Sequence, residues 1–121
     1  MTIAGTVLFP AAGPATGTFT ATGPICSAGT ILELGGVFVG FQSNRFARIG
    51  VRHQFTCTDR SGSFVLQLTV RLDFETGTTE FRWSVLSGTG DYAKLHGTWT
   101  GTGAPIPGGI ADTYTGGMHI D

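Results

Sequence analysis

The sequence predicts a single all-β domain, an antiparallel β-barrel of about eight strands. Glycine and threonine contribute 20 and 19 of the 121 residues, and both are poor helix formers. Hydrophobic and polar residues alternate over several segments of strand length, which is typical of half-buried strands. Hydrophobic residues make up 40% of the chain and the net charge is only -1, so the chain has the composition of a folded core and not of a disordered segment.

The first third of the chain contains an N-terminal strand followed by a loose segment. The stretch from Phe9 to Pro14 is rich in Gly, Pro and Ala, and it is either an early loop or, with the residues before it, an N-terminal arm over 1–14. Further strands are expected at Thr16–Thr22, at about Thr30–Leu34 and at Val37–Phe41. No break in composition divides the chain, so one domain over 1–121 is expected.

The middle of the chain predicts two hairpins with one buried face. Residues 64–74 alternate strictly between apolar and polar side chains, and a tight turn at Thr76-Gly77 leads to the next strand. If Glu75 pairs with Thr78, Leu68 lies opposite Val85, and Arg71 lies diagonal to Glu80 on the outer face. Asp73 lies diagonal to Arg82 on the same outer face.

The preceding turn at Asp59–Gly62 predicts the register of the other hairpin. Pairing Thr58 with Ser63 places His53 opposite Leu68, on an inner face that is otherwise apolar. Val51, Phe55 and Cys57 share that face.

The last two strands are expected at Leu95–Gly103 and Ile110–Ile120, around a turn at Ala104–Gly109. If Trp99 faces Tyr114, then Asp112, Tyr114 and Met118 point inward with it. A slip of one residue would instead place Thr113, Thr115 and His119 inside. Seven or eight strands of this kind favour a closed barrel, which has no free edges, over the alternative of a sandwich.

Composition and motifs exclude several classes of function. Seven Lys and Arg against eight Asp and Glu give no basic surface for nucleic acid. No apolar run is long enough for a transmembrane helix and no signal peptide is visible, although one could have been removed. No metal-ligand spacing, P-loop, GxSxG or dinucleotide motif occurs, so neither a metal nor a cofactor is expected. Cys26 and Cys57 are either a single disulfide or two buried thiols.

One segment resembles a known family. Residues 87–99, SGTGDYAKLHGTW, are similar to the Gly-x-Gly-x-aromatic-x-x-Leu-x-Gly stretch of the allene oxide cyclase-like barrel superfamily, which includes plant allene oxide cyclases, dirigent proteins and bacterial spirotetronate cyclases. Most of the chain also resembles small actinobacterial barrel proteins of unknown function, through the segments Gly23–Cys26, Phe55–Cys57 and Pro105–Ile110. Within the glycine motif, Gly88 and Gly90 are expected to adopt positive φ, Tyr92 to plug one barrel end, and Gly97 to allow close strand approach.

The resemblance implies a calycin-like barrel of about eight strands that binds a hydrophobic small molecule in its lumen. The expected lumen walls are seven apolar side chains: Phe55, Phe64, Leu66, Leu68, Phe81, Trp83 and Trp99. With the predicted register, His53, Asp112 and Tyr114 are the candidate catalytic groups inside, and Glu33 joins them if its strand faces inward.

Two functions follow from these expectations. The first is a small-molecule-binding barrel, in its enzymatic form a cofactor-free cyclase or isomerase. The alternative is a non-catalytic, secreted binding or structural barrel; the location is secreted if a signal peptide was removed and cytoplasmic otherwise. A homodimer or homotrimer is a further expectation, with Val65, Leu86 and the segment Val37–Phe41 as candidate interface residues.

Overall fold

The computed structural model describes all residues 1–121 and has the predicted architecture, a single closed antiparallel barrel of eight strands. Each strand pairs with its neighbours along the chain, and β1 pairs with β8 to close the barrel. The strands are β1 (Thr2–Leu8), β2 (Thr16–Ala21), β3 (Ala28–Phe41), β4 (Phe46–Cys57), β5 (Ser63–Asp73), β6 (Thr79–Gly88), β7 (Leu95–Ile106) and β8 (Gly109–Ile120). A short 3₁₀ helix at Gly90–Tyr92 lies between β6 and β7, and no helix is long and apolar enough to cross a membrane.

The N-terminal residues are ordered into the barrel. Of residues 1–14, for which a loose arm was one expectation, residues 2–8 form β1 and pair with both β2 and β8. Their alternating pattern places Ile3, Gly5 and Val7 inside, which explains why the segment is a strand. Only the Phe9–Pro14 segment is a connection, in agreement with the early-loop alternative.

Strand β3 is one long strand where two were expected. Its pairing with β4 contains two irregularities, between Glu33 and Gly35 and between Phe38 and Gly40. Each leaves one extra residue on β3, as in a β-bulge. The bulges let a single strand continue through Gly35 and Gly36.

Both central hairpins have the predicted inner faces but a register that is wrong by two residues. Leu68 lies opposite Trp83, not Val85, and His53 lies opposite Leu66, not Leu68. The β4–β5 loop is shifted by one residue, because Cys57 N–H donates to the Gly62 carbonyl. The β5–β6 loop is longer than predicted, because Asp73 N–H donates to the Thr78 carbonyl and residues 74–77 lie between this pair. On the outer face Arg71 is therefore directly opposite Glu80, with the two charged groups 2.8 Å apart.

The two ends of the barrel differ. One end, which we call the plugged end, is filled by four aromatic rings in edge-to-face or stacked contact: Phe19, Phe55, Phe64 and Tyr92. The Cys26–Cys57 disulfide covers this end, so of the two cysteine alternatives the disulfide is the one present. As expected, Tyr92 is buried, and Gly90 has φ +58°. Gly88 does not have positive φ; a Cβ there would instead collide with the backbone of Tyr92.

Candidate functional site

The opposite end of the barrel is open and leads into a cavity of about 490 Å³. Its walls come from seven of the eight strands, all but β2, together with residues of the connecting loops. The apolar part is formed mainly by nine side chains: Val7, Phe9, Ile49, Val51, Leu68, Val70, Leu72, Phe81 and Ile110. A cavity of this size, apolar and with few polar groups, is typical of small-molecule sites.

Three ionisable side chains line this cavity, namely Glu33, His53 and Asp112. They come from β3, β4 and β8, and each is at an inward position of its strand. His53 and Asp112 are 5% and 6% exposed, so their contacts with solvent are made through the cavity. Glu33 is the group whose orientation the sequence left open, and it faces inward.

His53 is held between two neighbours. Its Nδ1 lies 3.1 Å from the hydroxyl oxygen of Tyr114, and its Nε2 lies 3.6 Å from Glu33 Oε1. The hydroxyl contact has hydrogen-bond length, whereas the contact with Glu33 is longer than an ideal hydrogen bond. The ring is thereby fixed on its inner side by Tyr114 and faces Glu33 on the other.

Asp112 differs from His53 in having no hydrogen-bond partner, because no protein group donates a hydrogen bond to its carboxylate. Every fully buried side-chain nitrogen or oxygen has a partner, so the carboxylate oxygens of Asp112 contact the cavity space. Burial raises the pKa of Asp112 to about 6, and the charge of His53 partly opposes this. A carboxyl group with a pKa near neutrality can both hold and release a proton under ordinary conditions.

Tyr114 lies behind the site and not on its surface. It is completely buried and does not line the cavity. Burial, and to a lesser degree the nearby Asp112, raises its pKa well above the ordinary value, so the phenol stays protonated. Tyr114 is one of the three predicted catalytic groups; in the structure it does not reach the cavity and contacts His53.

Glycine at position 103 makes room for Asp112. A Cβ at Gly103 would lie 2.5 Å from Asp112 Oδ1 and would also collide with the Thr79 hydroxyl. Gly103 and Thr79 were not among the predicted site residues. The alternation of threonine and glycine along Thr100–Gly103 was the available indication, because glycines on the inner face of one strand leave space for side chains of its neighbours.

The predicted lumen walls are divided between the cavity and the solid core. Leu68 and Phe81 line the cavity, whereas four residues are buried away from it: Phe55, Phe64, Leu66 and Trp83. Trp99 was expected inside and is 60% exposed, so this prediction is wrong. Trp83 lies opposite Trp99 and fills the adjacent interior space, where its indole N–H donates to the carbonyls of Thr100 and Thr115.

Comparison with known protein families, curated proteins and solved structures finds no match. The resemblance of residues 87–99 to the allene oxide cyclase-like superfamily therefore stays a prediction. No group of three or more potential ligands is arranged to hold a metal ion.

A larger depression, of about 620 Å³, lies on the outer face of β4–β7. Its charged residues are Arg48, Arg71, Arg82 and Glu80, and the Arg71–Glu80 ion pair spans it at 2.8 Å. Only two of its ten lining residues are hydrophobic, so it has no apolar enclosure. The barrel cavity is the better candidate for a small-molecule site.

Proposed function

We propose that the protein is a small-molecule-binding barrel that takes a hydrophobic ligand into the open end of its lumen. The observation that carries this proposal is the cavity of about 490 Å³ on whose wall Glu33, His53 and Asp112 converge. Transferring apolar ligand surface from water to such a cavity is favourable. The polar groups are few, which leaves them the role of orienting a ligand.

The finer form of the proposal is a cofactor-free cyclase or isomerase. The apolar walls would hold a flexible substrate in a folded conformation, which lowers the entropic part of the barrier. Asp112 is placed to give or take a proton at the cavity surface, since its pKa is raised to about 6. His53, held by Tyr114, is placed to stabilise charge that develops on the substrate.

A non-catalytic binding barrel is the second candidate, and the disulfide favours a secreted form of it. Disulfides persist in oxidising compartments and are rare in the cytosol. A homodimer or homotrimer is also proposed, because four large apolar side chains of the β3–β4 hairpin are more than half exposed: Val37, Phe38, Val39 and Phe41. Exposed apolar clusters of this kind often mark association surfaces.

Titration with Nile red, a neutral apolar dye, tests the binding proposal. We expect saturable fluorescence enhancement with the wild-type protein. Val51→Trp, on the cavity wall, should weaken it strongly because the larger side chain takes up part of the cavity. Val65→Trp, away from the cavity on the outer face of β5, is the matched control and should leave it unchanged. Absence of saturable binding, or binding that Val51→Trp leaves intact, would contradict the proposal.

Native mass spectrometry of protein purified from its own host separates the binding and catalytic forms. A co-purified hydrophobic compound would identify the ligand class. Turnover of that compound which is lost in Asp112→Asn would support the enzyme. Binding with no conversion by the wild-type protein would favour the non-catalytic barrel.

A further inference from the structure

The charges of the chain are distributed unequally between the cavity and the outer surface. All seven Lys and Arg residues are exposed, and none lines the cavity. The cavity wall carries two carboxylates, Glu33 and Asp112, and one histidine. An anionic ligand would find no guanidinium or ammonium group inside, whereas a cationic ligand would find two carboxylates.

The two carboxylates also have fewer partners than the ion-paired carboxylates of the surface. Asp73, for example, accepts hydrogen bonds from Arg45 at 2.9 and 3.1 Å. Asp112 is 6% exposed and has no protein donor, and Glu33 has only the 3.6 Å contact with His53. A buried carboxylate is costly unless it is paired, so a ligand that donates hydrogen bonds and carries positive charge would supply what the protein does not.

The surroundings of Asp112 fit the head group of such a ligand. The Thr79 hydroxyl and the Asp112 carboxylate both lie next to Gly103, because a Cβ added at Gly103 would collide with each of them. An ammonium group has three donors, which these two side chains can accept. The apolar wall from Ile49 to Leu72 leaves room for the hydrocarbon part of the same molecule.

We propose that the cavity selects apolar ligands that carry one positively charged amine and discriminates against apolar carboxylic acids. This inference rests on the proposed binding function and adds the chemical class of the ligand. The carboxylates of Glu33 and Asp112 are its determinants, and Thr79 assists them.

Three ligands built on one hydrocarbon cage test this selectivity: 1-adamantylamine, 1-adamantanol and adamantane-1-carboxylate. At pH 8 the amine is cationic and the acid is anionic. Affinities are measured by isothermal titration calorimetry. We expect the amine to bind about tenfold or more tighter than the alcohol, since a charge-assisted hydrogen bond is worth that much. The carboxylate should bind more weakly than the alcohol.

Charge-removing variants separate a specific contact from general attraction. Asp112→Asn and Glu33→Gln should each reduce the preference for the amine over the alcohol by several-fold, and leave alcohol binding nearly unchanged. Glu80→Gln removes an exposed carboxylate on the outer face with the same change in net charge. It should not alter the preference.

The outcomes distinguish failure of the amine-selectivity inference from failure of the binding proposal on which it rests. If none of the three compounds binds and Nile red does not bind, the binding proposal fails. If the alcohol binds but the amine is no tighter, or if the carboxylate is preferred, the inference is overturned while the binding function stands. An amine preference that survives both Asp112→Asn and Glu33→Gln would overturn it as well.

Discussion

Replacing Asp112 by Asn should stabilise the protein above pH 6 and not at pH 4. Burial raises the pKa of Asp112 from 3.8 to about 6. Between these two values the folded protein holds a proton that the unfolded chain has lost, so the free energy of unfolding falls as the pH rises through this window. The difference between the two pKa values lowers the free energy of unfolding by about 3 kcal/mol at neutral pH. Asn cannot ionise, and the variant therefore avoids this cost.

Urea denaturation at pH 4.0 and pH 7.5 measures the effect, with the slope checked for constancy between variants. The variant should be more stable than the wild type at pH 7.5, by up to about 3 kcal/mol, and the two should be similar at pH 4.0. Other titrations cancel in this comparison, including that of Asp73, whose pKa is lowered to about 2 by its hydrogen bond with Arg45.

Asp91→Asn, an exposed aspartate of the 3₁₀ helix, is the control and should show no such difference. Equal pH dependence in wild type and Asp112→Asn would refute the placement of an unpaired carboxylate in an apolar cavity. A variant that is less stable than the wild type at pH 7.5 would do the same, because it would mean that the charged carboxylate has partners.

Three further predictions concern the disulfide, the glycine beneath Asp112 and the support of His53. Replacing both Cys26 and Cys57 by Ala opens a loop of 31 residues and should lower the free energy of unfolding by about 3–4 kcal/mol, as measured by urea denaturation. Gly103→Ala should weaken 1-adamantylamine binding and cost about 1–3 kcal/mol of stability, whereas Gly117→Ala, with nothing within 4 Å of its added Cβ, should change neither. Tyr114→Phe removes the hydroxyl from His53 Nδ1 and should cost about 1–3 kcal/mol by leaving a buried nitrogen unpaired; thermal and urea unfolding that match the wild type would contradict this.

The inner and outer faces of the strands could be predicted because side chains alternate with period two. The register could not, because a shift of two residues leaves every side chain on its face. The observed shift of Leu68 from Val85 to Trp83 is of this kind. Only the turn geometry decides it, and here a four-residue loop in which Asp73 Oδ1 accepts from the Glu75 N–H replaces the two-residue turn that Thr76-Gly77 had indicated.

His53 and Asp112 could be placed inside the barrel from the sequence, whereas the position of the cavity could not. Inward residues at both barrel ends are apolar, so the pattern does not indicate which end is filled. The answer depends on long-range packing: Phe19, Phe55 and Phe64 meet around one end, and the disulfide joins the β2–β3 loop to the end of β4 there. The strand pattern also did not indicate that Trp99, opposite the buried Trp83, is exposed.

The pairing of β1 with β8 has a practical consequence for studying the cavity. Thr2 lies opposite Thr115, and Leu95 opposite Ile120, so residues 1 and 121 both lie at the plugged end. The cavity opens at the other end, beside Phe9 and Gly109. A tag, a surface tether or a fused domain attached at either terminus would therefore leave the mouth unobstructed, and the protein can be immobilised in one orientation with its cavity facing the solution.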